Sequence, residues 1–521
     1  MFKQSAILLA TPFLALFSAL ACAQQPLVQS PLPLGRAGLP QTVKRELLAP
    51  GVQHYRIHRG TPDKSGGWLL ISGVITTDEQ RAAARKCFEG IGLRPFSTTF
   101  HLDGAEAQRY DILSAGRFPT RAAAQAEAAR AKLNACAVFA RHSAEDAAND
   151  DGPWEIEVVA LEPSSSAALA VLTGEKGPQL RRQVSSLAKA AGALAAVNGG
   201  FFAMAAEDGF PGQPTGISII DGQINSSPVA ARPALLIRQG DKPAASIVRN
   251  VDLRTALIAK DGARIAIDGV NRKPGLIRDC GRDASDKPVH DHTCRYGDDI
   301  VYFPAGSSFG AVTGKLGIPL VRFAVGSNGV LRRLEADAGP SAGEAVLALT
   351  VGSARLPELE RLAAEGVAVA FKADSNLGVD LDADTQVVNG GPTLLMGGKA
   401  LRDEVDEGWG IKVNGDPQHN LLMHDWVNRR EPRTAVGVQP DGTVLLLTVD
   451  GHRHNASVGM TIEELRLVFK ALGARDAINL DGGGSTALAV GGRLVTQPSD
   501  LAGERPVGDV IAILPGAKAA K

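Results

Sequence analysis

Four short segments share one design, an apolar run that stops at asparagine or aspartate and then glycine. They are Val197-Asn198-Gly199-Gly200, Val388-Asn389-Gly390-Gly391, Val449-Asp450-Gly451 and Ile478-Asn479-Leu480-Asp481-Gly482-Gly483-Gly484. Such runs read as buried strands, and the glycines permit a sharp exit because no Cβ restricts φ. Strands that end side by side would gather Asn198, Asp450 and Asp481 around one cleft. Two carboxylates in a cleft are the minimum equipment for cleaving a glycosidic bond, one as acid and one as base or nucleophile. After Asp481, the backbone N–H groups of Gly482, Gly483 and Gly484 suit an anion, and Ser485 and Thr486 add hydroxyl donors. Arg433, at the start of the apolar run Thr434-Ala435-Val436, offers a planar fork for phosphate or carboxylate.

Composition narrows the partners. A net charge of −1 over 521 residues leaves no basic excess for nucleic acid and no polybasic tract for an anionic membrane surface. The first residues read as a signal peptide over 1–23, with Lys3 before an apolar stretch and Ala21-Cys22-Ala23 as the cleavage site. That stretch is too short for a comfortable membrane span, and no other apolar run reaches its length. The protein is therefore expected to be exported, periplasmic or associated with the cell envelope. Cys22 gives the alternative of a lipidated N-terminus.

In chain order, residues 24–64 are rich in Pro, Gln and Leu and read as a linker or loosely packed arm. Residues 65–145 hold two half-units of strand, Ala-rich helix and strand. Their order is βαββαβ, which predicts a small ferredoxin-like module with an antiparallel sheet and both helices on one face. The polar break at 149–153 marks the next boundary, and residues 153–517 read as a second, strand-rich mixed α/β domain, an α+β pattern. Within it, residues 271–299 look like a polar surface loop. Four cysteines remain beyond Cys22, and their clustering suggests Cys87–Cys136 and Cys280–Cys294 as disulfides, with a zinc alternative from His290, His292 and Cys294. Thr461 and Glu464 make a capping box for a helix whose Leu465, Val468, Phe469 and Leu472 form a core stripe.

Two resemblances follow from these residues. Tyr110, Gly116, Phe118, Ala122 and Leu133 resemble the SPOR domain, which implies that the module binds peptidoglycan glycan strands through an exposed sheet face carrying Tyr110. The segments at Asn198, at Pro432-Arg433-Thr434, at Asp450-Gly451, at Ser457–Leu465, at Asn479–Ser485 and at Glu504-Arg505-Pro506-Val507 together resemble the phosphodiester glycosidase family. The match spans roughly residues 155 to 515 and is strongest from Arg433 onward.

The second resemblance implies a hydrolase that cleaves a sugar from a sugar-1-phosphodiester. Asp481, Asp450, Asn198 and Arg433 would be its catalytic residues, and Gly482, Gly483, Gly484, Ser485, Thr486, His452, Arg453, Arg505 and Asn389 would bind substrate. Phosphate is a good leaving group, so little general-acid help is needed, and Arg433 with the glycine N–H groups would hold its charge. Two departures stand out. His452 occupies a place where the family commonly has Arg, with Arg453 following, and Gly508-Asp509 stands where Ala-Asn is expected. This reading needs no cofactor. The competing readings are a non-catalytic envelope glycan-binding protein and a metal-dependent phosphodiesterase in which Asp450 and Asp481 ligate a divalent cation such as Ca2+.

Overall fold

The structure, a computed structural model, describes residues 27–516 apart from 64–65, 105–106, 134, 147–150, 175–180, 240–243, 281–287, 314–317, 336–337 and 413–416. The expected signal peptide and Cys22 lie outside the described residues.

The scaffold follows from strands that are apolar on both faces. Val444–Val449 sends Leu445, Leu447 and Val449 into one core, and Val444 and Leu446 into another, as the two-residue period of a strand requires. It lies in an eight-stranded sheet of antiparallel neighbours, between Trp154–Leu161 and Arg433–Val438, with Asp476–Asn479 beyond. One face is covered by the helices Pro417–Val427 and Ile462–Ala471, through Leu421, Met423, Leu465, Val468 and Phe469. The capping box of Thr461 and Glu464 is formed as expected. The other face packs on two five-stranded sheets, which contribute Val171, Val197, Leu235, Val388, Leu488 and Ile511. A lobe built from residues 253–375 carries its own core around Leu257, Ile300, Phe323, Leu347 and Leu359.

The expectation of a linker over residues 24–64 is overturned. Gln41–Ala49 (β1) and Val52–Arg59 (β2) form a hairpin, and β2 pairs along its whole length with Trp154–Leu161, from Val52↔Leu161 to Arg59↔Trp154. The pattern was hidden because polar residues are buried with partners. His54 meets Glu157 at 2.6 Å, Gln53 meets Glu162 at 3.0 Å, and Arg59 donates to the carbonyls of Leu34 and Leu39. The large domain therefore does not begin at 153. Its sheet begins with β1, and the module of residues 65–145 is inserted between two adjacent strands of that sheet.

The inserted module has the predicted order: Trp68–Ile71 (β3), Asp78–Gly90 (α1), Phe96–Leu102 (β4), Gln108–Phe118 (β5), Arg121–Leu133 (α2) and Phe139–His142 (β6), in an antiparallel sheet β4-β5-β3-β6. Both helices pack on one face, where Phe88, Ala124 and Ala131 meet Leu70, Leu113 and Ala115. Both predicted disulfides are present, Cys87–Cys136 and Cys280–Cys294.

The opposite sheet face is not exposed. Ile71, Leu102, Tyr110 and Ile112 join the core of the large domain, and Tyr110 is 2% exposed. Its hydroxyl lies 2.8 Å from His424 Nδ1 and accepts from Asn428 Nδ2 at 2.9 Å. Glycan binding through that face is therefore contradicted. A half-apolar strand leaves a face needing cover, and here helix Pro417–Val427 and its neighbours supply it.

Candidate active site

Arg433–Val438 runs antiparallel between Val444–Val449 and Asp476–Asn479, so the C-terminal ends of those two strands meet at its start. That edge places Asp450, Glu431 and Asp481 close in the fold. Backbone bonds clamp it: Leu480 N–H to Thr434 O at 2.8 Å and Gly483 N–H to Pro432 O at 2.9 Å.

A cavity of about 330 Å³ opens there, lined by Asp481, Gly482, Gly483, Gly484 and Arg505 together with Asp425 and Glu431. Phe201, Trp426, His290 and Asp291 complete an aromatic and polar wall, and Met204 and Leu422 are its exposed apolar members. Burial pushes the Asp481 carboxyl up to about 7, against hydrogen bonds from Ser485 and Gly482 N–H and the charge of Arg505. For Glu431, burial alone would raise the carboxyl. Arg429 Nη1 at 2.7 Å and His452 Nε2 at 2.7 Å outweigh that effect and hold it below the usual carboxylate range. Asp425 is raised by burial, opposed by Arg141 and Arg429. The cavity thus sets carboxyls of opposite tendency together, the condition under which one serves as acid and another as fixed charge.

The residues expected to act divide into three groups. Asp481, Gly482, Gly483, Gly484 and Arg505 line the cavity. His452 stands behind it, paired to Glu431. The others brace. Asn198 is fully buried, donating to Asp481 O at 2.8 Å and accepting from Thr434 and from Ala487 N–H. Asn389 binds both N–H and C=O of Phe201. Arg433 is fully buried, with Nε on Met460 O at 2.9 Å and Nη2 on Arg429 O at 3.0 Å. Ser485 and Thr486 are buried behind the turn.

Asp450 does not line the cavity. Both its oxygens accept Gln497 N–H at 3.1 Å, and burial pushes it up to about 7. Arg453 lies in the loop after it, its N–H on Ser457 O. The expected cleft of Asn198, Asp450 and Asp481 is therefore corrected: of these, Asp481 alone reaches the cavity, because alternate residues beyond a strand end point to different sides. The glycine nest is corrected too. Gly482 N–H is taken by Asp481 Oδ1 at 2.8 Å and Gly483 N–H by Pro432 O. Gly484 is needed for another reason, since a Cβ there would land on the Arg505 guanidinium and on Asp500.

Glu431, Asp425, Trp426 and Asp291 were not singled out from sequence. For Glu431 the signal was an acid between Arg430 and Pro432 in a run of three arginines. The described residues of 271–299 are not all at the surface, since Arg272, Asp279, His290 and Asp299 are buried. They are buried as pairs, with Arg272 bidentate on Asp299 at 2.7 and 2.6 Å and Arg278 on Asp291 at 2.7 Å.

As for metals, Cys280 and Cys294 are joined as a disulfide, which removes the thiolates that a zinc site would use. Asp279, His290 and Asp291 bring ligand atoms within 4.8 Å of one another. Two guanidiniums already neutralise that cluster, Arg232 at 3.1 Å from His290 Nδ1 and 3.5 Å from Asp279, and Arg278 on Asp291.

The fold and cavity together define a class: a strand-rich scaffold that gathers acidic side chains in a cavity where its strands end. Residues 325–514 match the family model described as phosphodiester glycosidase. Along nearly its full length the chain is related to a putative exported protein from Burkholderia pseudomallei, at 31% identity and a TM-score of 0.81 over 94% of this chain and 99% of that one. A hypothetical protein from Synechocystis shares the fold, with a TM-score of 0.52 at 15% identity over 91% of this chain and 79% of the other.

Among curated relatives, the N-acetylglucosamine-1-phosphodiester alpha-N-acetylglucosaminidase of Mus musculus is 36% identical over 115 residues, 22% of this chain and 21% of its own. An SPbeta prophage-derived uncharacterized protein of Bacillus subtilis is 40% identical over 103 residues, 19% of this chain and 16% of its own. The chain thus spans about a fifth or less of the length of those relatives.

Proposed function

We propose that this protein is a hydrolase that cleaves a sugar from a sugar-1-phosphodiester. The observation that carries the reading is the meeting of Asp481 and Glu431 in one cavity, both within the residues that match the phosphodiester glycosidase family model. Asp481, protonated near neutral pH, gives or takes the proton at the reacting centre. Glu431, kept ionised by Arg429 and His452, stabilises the oxocarbenium-like state. Arg505, held by Asp500 at 2.8 and 2.9 Å, directs its remaining donors to the phosphate. Phe201 and Trp426 give the sugar an apolar face to rest on. Asn198, Asn389 and Arg433 hold these groups from behind.

The reaction is proposed to need no cofactor, so activity should survive EDTA. An exported, envelope or periplasmic setting is part of the proposal; it is supported by the two disulfides and by the exported description of the Burkholderia relative. Retention on peptidoglycan by the inserted module is a further part. With the sheet face closed, it falls to the groove of about 410 Å³ lined by Ile75, Gln80, Ala84, Phe88 and Phe139, and co-sedimentation with sacculi tests it.

The decisive experiment is incubation of the purified chain with a panel of sugar-1-phosphodiesters and mass spectrometry of the products. Free sugar is the expected product. Release of sugar phosphate would indicate a phosphodiesterase, and binding without any cleavage would indicate a glycan-binding protein.

A further inference from the structure

Two cavity carboxylates are tied to the inserted module. Arg141, on β6, reaches Asp425 Oδ2 at 2.5 Å. Glu145, in the turn Ser143–Asp146 that follows, pairs with the Arg429 guanidinium, which in turn contacts Glu431 at 2.7 Å and Asp425 at 3.4 Å. Glu145 is 3% exposed, and among the described residues the buried Asp425 Oδ1 has no hydrogen-bond partner. Backbone bonds fix the same turn, Arg430 N–H to Glu145 O at 2.7 Å and Arg430 Nη1 to Ala144 O at 3.1 Å.

We infer that the inserted module is a working wall of the active site, in which Arg141 and Glu145 are positioning residues that hold Asp425 and, through Arg429, Glu431. The inference rests on the hydrolase reading above and adds a task to a module that the sequence marks only as a glycan anchor. The reasoning is electrostatic. Buried carboxylates next to each other cannot both ionise freely, and here the cations are shared out. Arg429 lies nearer Glu431, whereas Asp425 depends on Arg141. The titratable and charged groups facing this pair are Arg141, Glu145 and Asp146 from the module, His424 on the helix that carries Asp425, Arg429 and Arg433 from the segment before and at the strand, and His452 from the loop beyond the next strand. Arg141 opposes the rise that burial imposes on Asp425. Its loss therefore moves Asp425 further toward the protonated form and lets the side chain shift in the cavity.

The test uses the full chain with Arg141→Ala, Arg141→Gln, Arg141→Lys and Gln108→Ala. Gln108 bonds Ile411 N–H and C=O at 2.7 Å across the same interface but touches no cavity carboxylate. With a sugar-1-phosphodiester that the wild type cleaves, Arg141→Ala and Arg141→Gln should lower kcat about 10- to 100-fold with a much smaller change in KM, as expected for a displaced catalytic group. They should also move the acid limb of the pH profile upward. Arg141→Lys should restore most of kcat, and Gln108→Ala should leave the profile in place. Arg141→Gln keeps a polar, uncharged side chain that fills part of the space and carries the test where Arg141→Ala fails to fold.

A carboxyl 13C NMR titration of Asp425, assigned with Asp425→Asn, reads the same coupling without turnover. If Asp425 titrates at the same pH in wild type and Arg141→Gln, the inference is overturned. Absence of turnover in the wild type, with Asp425 still moved by Arg141→Gln, overturns the hydrolase reading alone.

Discussion

Glu431 and His452 face each other at 2.7 Å, the histidine reaching back from a backbone position at φ 58°. That left-handed conformation is uncommon for a residue with a side chain, and it turns the ring from the end of Val444–Val449 toward the start of Arg433–Val438. A hydrogen bond from the ring to Glu431 favours the ionised carboxylate, which is the service an arginine at this place would also perform. His452→Ala should lower kcat/KM about 10-fold, within the range of a lost charged hydrogen-bond partner, and His452→Arg should retain most of it. Steady-state rates of sugar release check this, and full activity in His452→Ala would show that Arg429 suffices alone.

The two aspartates of the strand ends should behave differently. Asp481→Asn and Glu431→Gln remove groups that face the cavity and should each cost kcat about 10²- to 10⁴-fold. Asp450→Asn removes a charge that faces Gln497 N–H instead, and it should cost less than about 10-fold, since a neutral acceptor can keep that bond. Rates for the three variants, measured together, give the ranking. An Asp450→Asn variant as impaired as Asp481→Asn would place Asp450 in the reaction.

This difference shows how much the sequence could reveal. The four apolar runs ending in Asn or Asp and Gly are strand ends, and two of them do flank Arg433–Val438. Periodicity tells that Asp450 and Asp481 end strands, but not which way a residue one step past a strand turns, and that decides whether it meets substrate. The hairpin of β1 and β2 escaped notice because His54, Gln53 and Arg59 are buried against partners over a hundred residues away or in the preceding arm. Glu431 escaped because its meaning depends on Arg429, His452 and the module, three contacts of different sequence range. The module's order was legible from its Ala-rich helices. Its docking was not, because Tyr110 reads equally as a ligand platform or as a core residue with a polar tip.

Two glycines separate function from stability. A Cβ on Gly484 would collide with Arg505 and Asp500, so Gly484→Ala should displace the guanidinium and raise KM about 10-fold or more, the loss expected for a charge-assisted contact. A Cβ on Gly437 would lie 2.6 Å from the Phe469 ring, where helix Ile462–Ala471 crosses the strand. Gly437→Ala should therefore destabilise by about 1–3 kcal/mol, the usual cost of overpacking, with kcat/KM of the folded fraction unchanged. Thermal melts and kinetics on the same preparations check both.

The buried aspartates also set a pH dependence of stability. Burial raises Asp450 and Asp481 to about 7 and Asp509 to about 6, from an ordinary 3.8. Between pH 4 and its own folded value each group keeps its proton in the folded chain and releases it in the unfolded one. Each group therefore favours folding fully below pH 4, and its contribution is lost as pH rises through its folded value. Buried histidines act the other way: His142 and His424 are lowered to about 4 and about 3 by burial, so each adds stability as pH rises toward 6.5. A wild-type curve mixes the two, whereas the difference between Asp450→Asn and wild type isolates one carboxyl. That variant should match wild type near pH 4 and be more stable at pH 8, by at most about 4 kcal/mol for a carboxyl carried from 3.8 to about 7. Calorimetric melts at pH 4, 6 and 8 measure it. A gap that stays constant across that range would mean that Asp450 is ionised throughout, and that Gln497 N–H holds a carboxylate rather than a carboxylic acid.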